Sequence, residues 1–247
     1  MRVLSEVQEF VRHTRALNTF DELETALDGA TRALGFQYFA LMHHVPDPLS
    51  FHASYVSNYP SSWIEQVIAQ QYWADDPIAL ACQRAVASFA WSELNELLPL
   101  SHRHLEILSN ARKAGLVAGF TIPANAPGEL SGSVSFAVKD GRSLPHESLP
   151  STHYVGAFAY EAARRIARKL SARAAPLAQL TGRQLDCVVL VARGKSDWEA
   201  AQILGISQAT VHQHVQAAMR KFEVSTRTQL VVRSLFDCLI SFQDVLH

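Results

Sequence analysis

The chain has 247 residues, of which 48% are hydrophobic and 18% are charged, and its formal net charge is −1. This length fits one large or two ordinary domains with real cores, and the charge gives no overall basic signature. No apolar run approaches a membrane span, and the first residues lack the apolar stretch of a secretory signal. Three scattered cysteines without a CxxC motif predict reduced thiols in a cytoplasmic protein: Cys82, Cys187 and Cys238.

The first 173 residues alternate helical and strand-like patterns. Apolar residues at helical spacing predict two amphipathic helices over 7–32 and further helices at 63–72, 78–87 and 103–114. Alternating faces predict strands at 38–42, 115–123 and 132–138. The expected fold is therefore an α+β N-terminal domain, in which a sheet is flanked by helices, with an all-α C-terminal domain behind it.

A long helix is predicted over 150–174, with Pro150 tolerated in its first turn. Its apolar residues recur every four positions, at Tyr154, Phe158, Ala162, Ile166 and Leu170. Such a stripe can pack inward or pair with a second subunit, and both interpretations stay open. Pro176 stops the helix, which places a linker at 174–179 between a domain of residues 1–173 and one of residues 180–247.

Capping residues predict two short helices around a tight turn near the C-terminus. Ser196 with Glu199 fits a capping box, Gly205 suits a left-handed helix end, and Ser207 suits a second N-cap. The predicted helices run over 197–204 and 208–222, the arrangement of a DNA-reading helix-turn-helix. The plainer alternative is a small helical bundle with a solvated surface.

The outer face of the second helix carries side chains suited to base edges in a major groove, namely His212, Gln213, Gln216 and Arg220. The flanking candidates for phosphate contacts are Lys195, Ser207, Thr210, Lys221, Arg227 and Thr228. Residues 177–247 hold seven Lys or Arg and six Asp or Glu, a weak charge for a DNA binder. Two copies on a two-fold DNA site are therefore expected to bind better than one.

Both halves of the chain resemble the LuxR family. The C-terminal motifs Gly194-Lys195-Ser196, Ile206-Ser207, Thr210-Val211 and Arg220-Lys221-Phe222 resemble its DNA-binding domain. The N-terminal motifs Asn58-Tyr59-Pro60 with Trp63, Tyr72 with Asp76-Pro77-Ile78, Phe89-Ala90-Trp91, Gly115 with Gly119, and Gly132-Ser-Val-Ser135 resemble its autoinducer-binding domain. The resemblance implies a quorum-sensing transcription regulator that binds an N-acyl-homoserine lactone, needs no other cofactor, and binds double-stranded promoter DNA as a homodimer. RNA polymerase is a further expected partner, and no membrane is involved.

The same resemblance implies roles for the aromatic segment between Tyr59 and Trp91, which composition alone would assign to an ordinary core. Asp76 would accept the amide N–H of the ligand, Trp63 would donate to the lactone carbonyl, and Tyr59 would donate to the amide carbonyl. Ser135 would reach the same carbonyl or a 3-oxo group, and Trp91 would pack on the lactone ring. The rest of the expected lining is Ala40, Met42, Val67, Tyr72, Ile78, Ile107, Ala111, Leu116 and Thr121.

Several positions depart from the family pattern. Val67 stands where the family usually has Tyr, which predicts a roomier pocket and altered acyl-chain selectivity. Gln184 replaces a usual Glu, Ala200 replaces a usual Ile, and His212 replaces a residue that is commonly basic. The segment His43 to Pro48 also departs from the family and is expected to form a loop or lid.

Other functions remain as alternatives. The chain can be an orphan receptor for another small molecule or for a lactone made by neighbouring cells. A receiver-domain protein is disfavoured because no acidic cluster follows Phe36–Leu41. An enzyme such as a lactonase is disfavoured because no Gly-x-Ser-x-Gly elbow occurs. The histidines at 43, 44, 52, 102 and 104 lack metal-ligand spacing, so no metal site is expected.

Overall fold

The computed structural model describes residues 2–44, 55–125, 131–172, 180–237 and 239–246. These residues form two compact units, one ending at Ser171 and the other beginning at Ala172. The predicted linker at 174–179 lies outside the described residues, as does Cys238, so the domain bounds stay a prediction. Among the described helices, none is long and apolar enough to cross a membrane.

The first unit is built on one antiparallel sheet of five strands. They are β1 Tyr38–His43, β2 Tyr55–Ser57, β3 Phe89–Ala90, β4 Ala118–Ala124 and β5 Gly132–Val138, in the order β2-β1-β5-β4-β3. The register places Met42 opposite Ser133 and places Ala40 and Thr121 on either side of Ser135. Because alternate residues of a strand share a face, these side chains all belong to the same face of the sheet.

Helices cover both faces of this sheet, as the sequence predicts for an α+β domain. They are α1 Arg2–Thr14, α2 Phe20–Ala33, α3 Ser61–Ala69, α4 Pro77–Cys82, α5 Leu94–Leu97, α6 His102–Lys113 and α7 Leu149–Ala172. Side chains of α1, α2 and α7 pack on one face and bury Leu27, Phe136 and Ile166 completely. Smaller clusters around Trp63 and Cys82 occupy the other face.

Two predicted helices of the first unit are too long. The helix predicted over 63–72 ends at Ala69, and Gln71 has a left-handed φ of 52° that leads into a short 3-10 turn at Tyr72–Ala74. The helix predicted over 78–87 ends at Cys82, and Val86 is almost fully exposed. In the first case a short turn, rather than a helix, carries the next buried apolar side chain, Tyr72. In the second case Val86 extends the apolar spacing in the sequence but does not belong to the core.

The predicted stripe along α7 splits between core and surface. Ala162 and Ile166 are buried, whereas Tyr154, Phe158 and Leu170 are 55%, 36% and 52% exposed. Residues four apart advance by more than one helical turn, because a turn takes 3.6 residues, so a strict four-residue repeat winds around the helix. The buried face of α7 instead follows mixed spacings of three and four residues.

The second unit is all helical. It contains α8 Gly182–Ala192, α9 Asp197–Leu204, α10 Gln208–Lys221, α11 Arg227–Phe236 and α12 Phe242–Leu246 around a core that includes Val188, Val211, Val215 and Leu230. The predicted capping box is present, since Ser196 Oγ accepts from Glu199 N at 3.2 Å and Glu199 Oε2 accepts from Ser196 N at 2.8 Å. Gly205 ends α9 with φ 65°, and Ser207 caps α10. The predicted helix-turn-helix is therefore confirmed as a fold.

Candidate functional site

A cavity lies within the first unit, between the sheet and helices α3, α4 and α6. Its volume is about 90 Å³, which exceeds the roughly 10–15 Å³ that one water molecule needs, so the unit's own side chains do not fill it. It is lined by Met42, His43, His44, Tyr59, Trp63, Ile64, Val67, Tyr72, Trp73, Asp76, Ile78, Ala79, Trp91, Ile107, Leu108, Ala111, Leu116, Ser133 and Ser135. The lining includes every predicted ligand residue except Ala40 and Thr121.

Ala40 and Thr121 lie beside the cavity wall rather than in it. Both are buried in the sheet on either side of Ser135, and the Thr121 hydroxyl accepts a hydrogen bond from the indole N–H of Trp91. Seven further residues line the cavity without being predicted from the sequence: His43, His44, Ile64, Trp73, Ala79, Leu108 and Ser133. The alternation of strand residues could have found two of them, because His44 follows Met42 by two positions and Ser133 precedes Ser135 by two.

Asp76 provides the buried carboxyl group of the cavity. It is the N-cap of α4, and its Oδ1 accepts a hydrogen bond from Ile78 N at 2.9 Å. Burial raises the pKa of this carboxyl to about 6, against backbone hydrogen bonds that lower it. Since an ionised carboxylate can accept several hydrogen bonds, Asp76 retains capacity for one more donor inside the cavity.

An aromatic wall stands beside Asp76. Trp63 is 8% exposed, and its ring lies 5.8 Å from that of Tyr72. The Tyr72 hydroxyl accepts from Asn110 Nδ2 at 2.8 Å, and the Arg103 guanidinium lies 4.8 Å over the Tyr72 ring. These contacts fix the Tyr72 ring, which in turn supports the indole of Trp63.

A line of hydrogen bonds joins three more residues of the site. Trp91 Nε1 donates to Thr121 Oγ1 at 2.9 Å, and Thr121 Oγ1 lies 2.8 Å from Ser135 Oγ. The indole N–H of Trp91 is thus already used, which leaves its ring as the surface it offers to the cavity. When Thr121 donates onward to Ser135, the Ser135 hydroxyl proton becomes free for another acceptor.

His44 and Ser133 form a second polar pair in the lining. His44 Nε2 lies 3.0 Å from Ser133 Oγ. Burial, with a smaller contribution from His43, lowers the pKa of the His44 imidazole to about 4. His44 is therefore neutral at pH 7.

The candidate DNA surface is the outer side of α10 with the residues around it. Gln213, Arg220 and Thr228 are exposed, as predicted for groups that contact DNA. Ser207 Oγ accepts from Thr210 N at 3.0 Å, so these two residues also fix the start of the helix. Two other predicted DNA residues, Lys195 and Gln216, are half-buried.

Some predicted DNA residues also have partners within the second unit. Arg227 Nη2 donates to both carboxylate oxygens of Asp197 at 2.7 Å, and His212 Nδ1 lies 3.1 Å from Asp197 Oδ2. Lys221 Nζ donates to Gln184 Oε1 at 2.9 Å, while the same oxygen accepts from Thr181 N at 3.0 Å. Asp197 and Gln184, which are outside the predicted site, therefore orient three of its side chains.

The histidines considered for a metal are dispersed or outside the described residues. His43 Nδ1 lies 3.2 Å from the Tyr160 hydroxyl, and His104 takes part in the cap of α6. His52 and residues 45–48 of the predicted lid fall outside the described ranges. Across those ranges, no three His, Cys, Asp or Glu side chains come close enough to hold a metal ion.

Comparison with known proteins relates both units to one family. The family model described as "Autoinducer binding domain" matches residues 19–165, more than half of the chain, and "Bacterial regulatory proteins, luxR family" matches residues 178–234. The chain is 27% identical over 238 residues to the transcriptional activator protein VanR of Vibrio anguillarum, covering 95% of each chain.

Solved structures of SdiA show the same fold. Escherichia coli SdiA superimposes with a TM-score of 0.72 at 21% identity, over 96% of this chain and 98% of that one. SdiA in complex with octanoyl-rac-glycerol gives a TM-score of 0.73 at 21% identity, over 96% of each chain. With both family models matched in order, the chain belongs to the LuxR family of autoinducer-binding transcriptional regulators.

Proposed function

We propose that this regulator binds an N-acyl-homoserine lactone in the cavity and binds a two-fold promoter site as a homodimer. The observation that carries the proposal is the position of Asp76, a buried carboxyl group that shares an otherwise largely apolar cavity with Trp63 and Tyr59. A ligand with one amide N–H, two carbonyl groups and an alkyl chain matches that set of partners.

The chemistry of the lining supports this ligand class. A buried polar group without a partner costs about 1–3 kcal/mol, so each polar atom of the ligand needs one in the wall. Asp76 accepts the amide N–H, Trp63 donates to the lactone carbonyl, and Tyr59 donates to the amide carbonyl. The Ser135 hydroxyl contacts the same carbonyl or a 3-oxo group, and Trp91 covers the lactone ring.

Ligand binding should then stabilise the folded state of the protein. A compound that binds only the folded protein stabilises it by mass action, and here it also fills a cavity that the side chains leave open. Tyr154 and Phe158, which are exposed on α7, offer an apolar surface for pairing two copies. Two second units held together bind a palindromic site, which compensates for the low net charge of a single one.

Thermal unfolding of the full chain with a panel of lactones tests the proposal. The panel runs from short to long acyl chains, with and without a 3-oxo group, and includes octanoyl-glycerol as a non-lactone comparison. We expect a rise in Tm of several degrees for a subset of the lactones. A rise with octanoyl-glycerol alone would instead support an orphan receptor for acylglycerols, and no rise from folded protein would contradict sensing of either class.

The DNA half of the proposal needs a separate measurement. We expect the lactone-bound protein to retain two-fold DNA fragments in a gel-shift selection from random sequence, with binding that is weakened by salt. Binding of single half-sites with equal affinity would contradict the role of a dimer. Lactone turnover by the purified protein would revive the enzyme alternative.

A further inference from the structure

His44 and Ser133 form a hydrogen-bonded pair beside Ser135, the strand residue that the proposed function assigns to a ligand carbonyl. Ser133 precedes Ser135 by two positions on β5, and both line the cavity. A strand rises about 3.3 Å per residue, so the two serines stand roughly 7 Å apart along the strand. If the acyl chain of the ligand runs from Ser135 toward Ser133, the carbon atoms that reach His44 are several bonds away from the amide group.

His44 has an unused polar atom at this point. Its Nε2 pairs with Ser133 Oγ at 3.0 Å, whereas its buried Nδ1 has no hydrogen-bond partner among the described residues. A neutral imidazole carries one proton, so Nδ1 is a donor when Ser133 donates to Nε2 and an acceptor when Nε2 donates to Ser133. In either tautomer one polar atom stays unsatisfied, which buried groups of native proteins rarely are.

We propose that His44 and Ser133 form a subsite for an uncharged oxygen group, a hydroxyl or a carbonyl, carried by the acyl chain several carbons beyond the amide. This subsite rests on the proposed binding of lactones. A hydroxyl group can pair with Nδ1 in either tautomer, because it both donates and accepts, whereas a carbonyl group pairs with Nδ1 when that nitrogen carries the proton. A carboxylate does not fit, because the described lining contains no Lys or Arg and an unpaired buried charge is costly.

Isothermal titration of the full chain with two matched ligands tests the subsite. One ligand is octanoyl-homoserine lactone, and the other carries a hydroxyl on the last carbon of the same chain. In a purely apolar wall the hydroxyl would weaken binding, because it loses its hydrogen bonds to water. We expect the hydroxylated ligand to bind about tenfold more tightly, a difference of about 1.4 kcal/mol.

Two variants assign that preference to the pair. His44→Phe keeps an aromatic ring without polar atoms, and Ser133→Ala removes the hydroxyl; both should reduce the affinity ratio of the two ligands to one or below. His146→Phe changes an exposed histidine of the same unit and should keep the wild-type ratio. Unfolding curves of the free proteins show whether each variant is folded.

The outcomes separate the two proposals. Equal or weaker binding of the hydroxylated ligand by the wild type would overturn the subsite but leave lactone binding in place. A preference that survives in both His44→Phe and Ser133→Ala would also overturn it. Failure of both ligands to bind, together with the wider lactone panel, would overturn the proposed function itself.

Discussion

Trp91 lies against the backbone of Gly119 so closely that a Cβ added at position 119 would come within 2.3 Å of Trp91 Cε2. Real Cβ atoms do not approach other atoms that closely, so β4 needs a glycine at this position. The indole can then lie on the strand and donate to Thr121 Oγ1. Gly119 thus shapes the wall of the cavity without lining it.

Replacement of this glycine should disturb the ligand site. We expect Gly119→Ala to push Trp91 out of place, lower the free energy of unfolding by about 1–3 kcal/mol and weaken lactone binding at least tenfold. Calorimetric titration and thermal unfolding measure the two effects. Gly29→Ala is the matched control, since an added Cβ at position 29 in α2 meets no atom within 4 Å and should stabilise the protein by about 0.4–1 kcal/mol. Wild-type affinity in Gly119→Ala would contradict the role of the close contact.

Local chemistry explains why much of this architecture could be predicted. Ser196, Gly205 and Ser207 fix helix ends through bonds within a few residues, so their roles are visible in the sequence. The alternation of small or polar residues with apolar residues over 132–138 likewise predicts a strand, which the structure shows as β5. The prediction that Trp63 and Asp76 share one ligand site came from the resemblance to a family, because no spacing rule relates the two residues.

Long-range packing explains what the sequence did not reveal. The hydrogen bond from Trp91 to Thr121 depends on the pairing of β3 with β4, and the Asp197–Arg227 pair joins two helices that are distant in sequence. The unpartnered Nδ1 of His44 depends on how several elements close around one ring. Such relationships are properties of the assembled core, which a periodicity within one element cannot encode.

Asp76 and His44 line the same cavity with pKa values shifted in opposite directions. The folded protein takes up a proton on Asp76 near pH 6, above the usual value of 3.8, so this group stabilises the fold as the pH falls from 6 toward 4. His44 stays neutral down to about pH 4, below its usual 6.5, so it destabilises the fold over nearly the same interval. The two contributions oppose each other in the wild type.

Single variants should separate these contributions. Asp76→Asn keeps an N-cap acceptor and should stabilise the ligand-free protein at pH 7, by up to about 3 kcal/mol, while it abolishes the lactone-induced shift. Relative to wild type, that gain should shrink as the pH falls to 4. His44→Phe should instead gain stability relative to wild type over the same range. Urea unfolding at several pH values measures both, and parallel curves for all three proteins would rule out these assignments.

Gln184 caps the start of α8, at the position where the family resemblance leads us to expect a glutamate. Its amide oxygen accepts from both Thr181 N and Lys221 Nζ. Gln184→Glu should strengthen both bonds, because a carboxylate suits a helix N-terminus and a nearby ammonium group, by about 0.5–1 kcal/mol. Slower hydrogen exchange at the start of α8 would show this. Gln184→Leu removes the acceptor and should speed exchange there, and equal exchange in all three proteins would contradict the cap.

Two side chains on the DNA surface should differ in what they contribute. If Lys195 contacts a phosphate as proposed, Lys195→Ala should weaken binding to all sequences about equally and reduce the slope of log affinity against log salt by about one. Gln213→Ala should keep that slope but relax the preference at one base pair, at a cost of about 1–3 kcal/mol for the preferred site. Binding titrations over a range of salt and a set of single-base operator changes distinguish the two. A sequence-specific loss in Lys195→Ala would contradict its assignment to phosphate.

Val67 leaves space in the cavity that a tyrosine would occupy. It lines the cavity from α3, one helical turn after Trp63, and is half-buried. Val67→Tyr should fill part of the volume and therefore weaken binding of the longest acyl chains most, shifting the preferred length downward. Ile68→Tyr is the matched control, because Ile68 is the neighbouring residue, is 37% exposed and does not line the cavity. If Tm shifts across the lactone panel keep the same rank order in Val67→Tyr as in Ile68→Tyr, the size of residue 67 does not set acyl-chain selectivity.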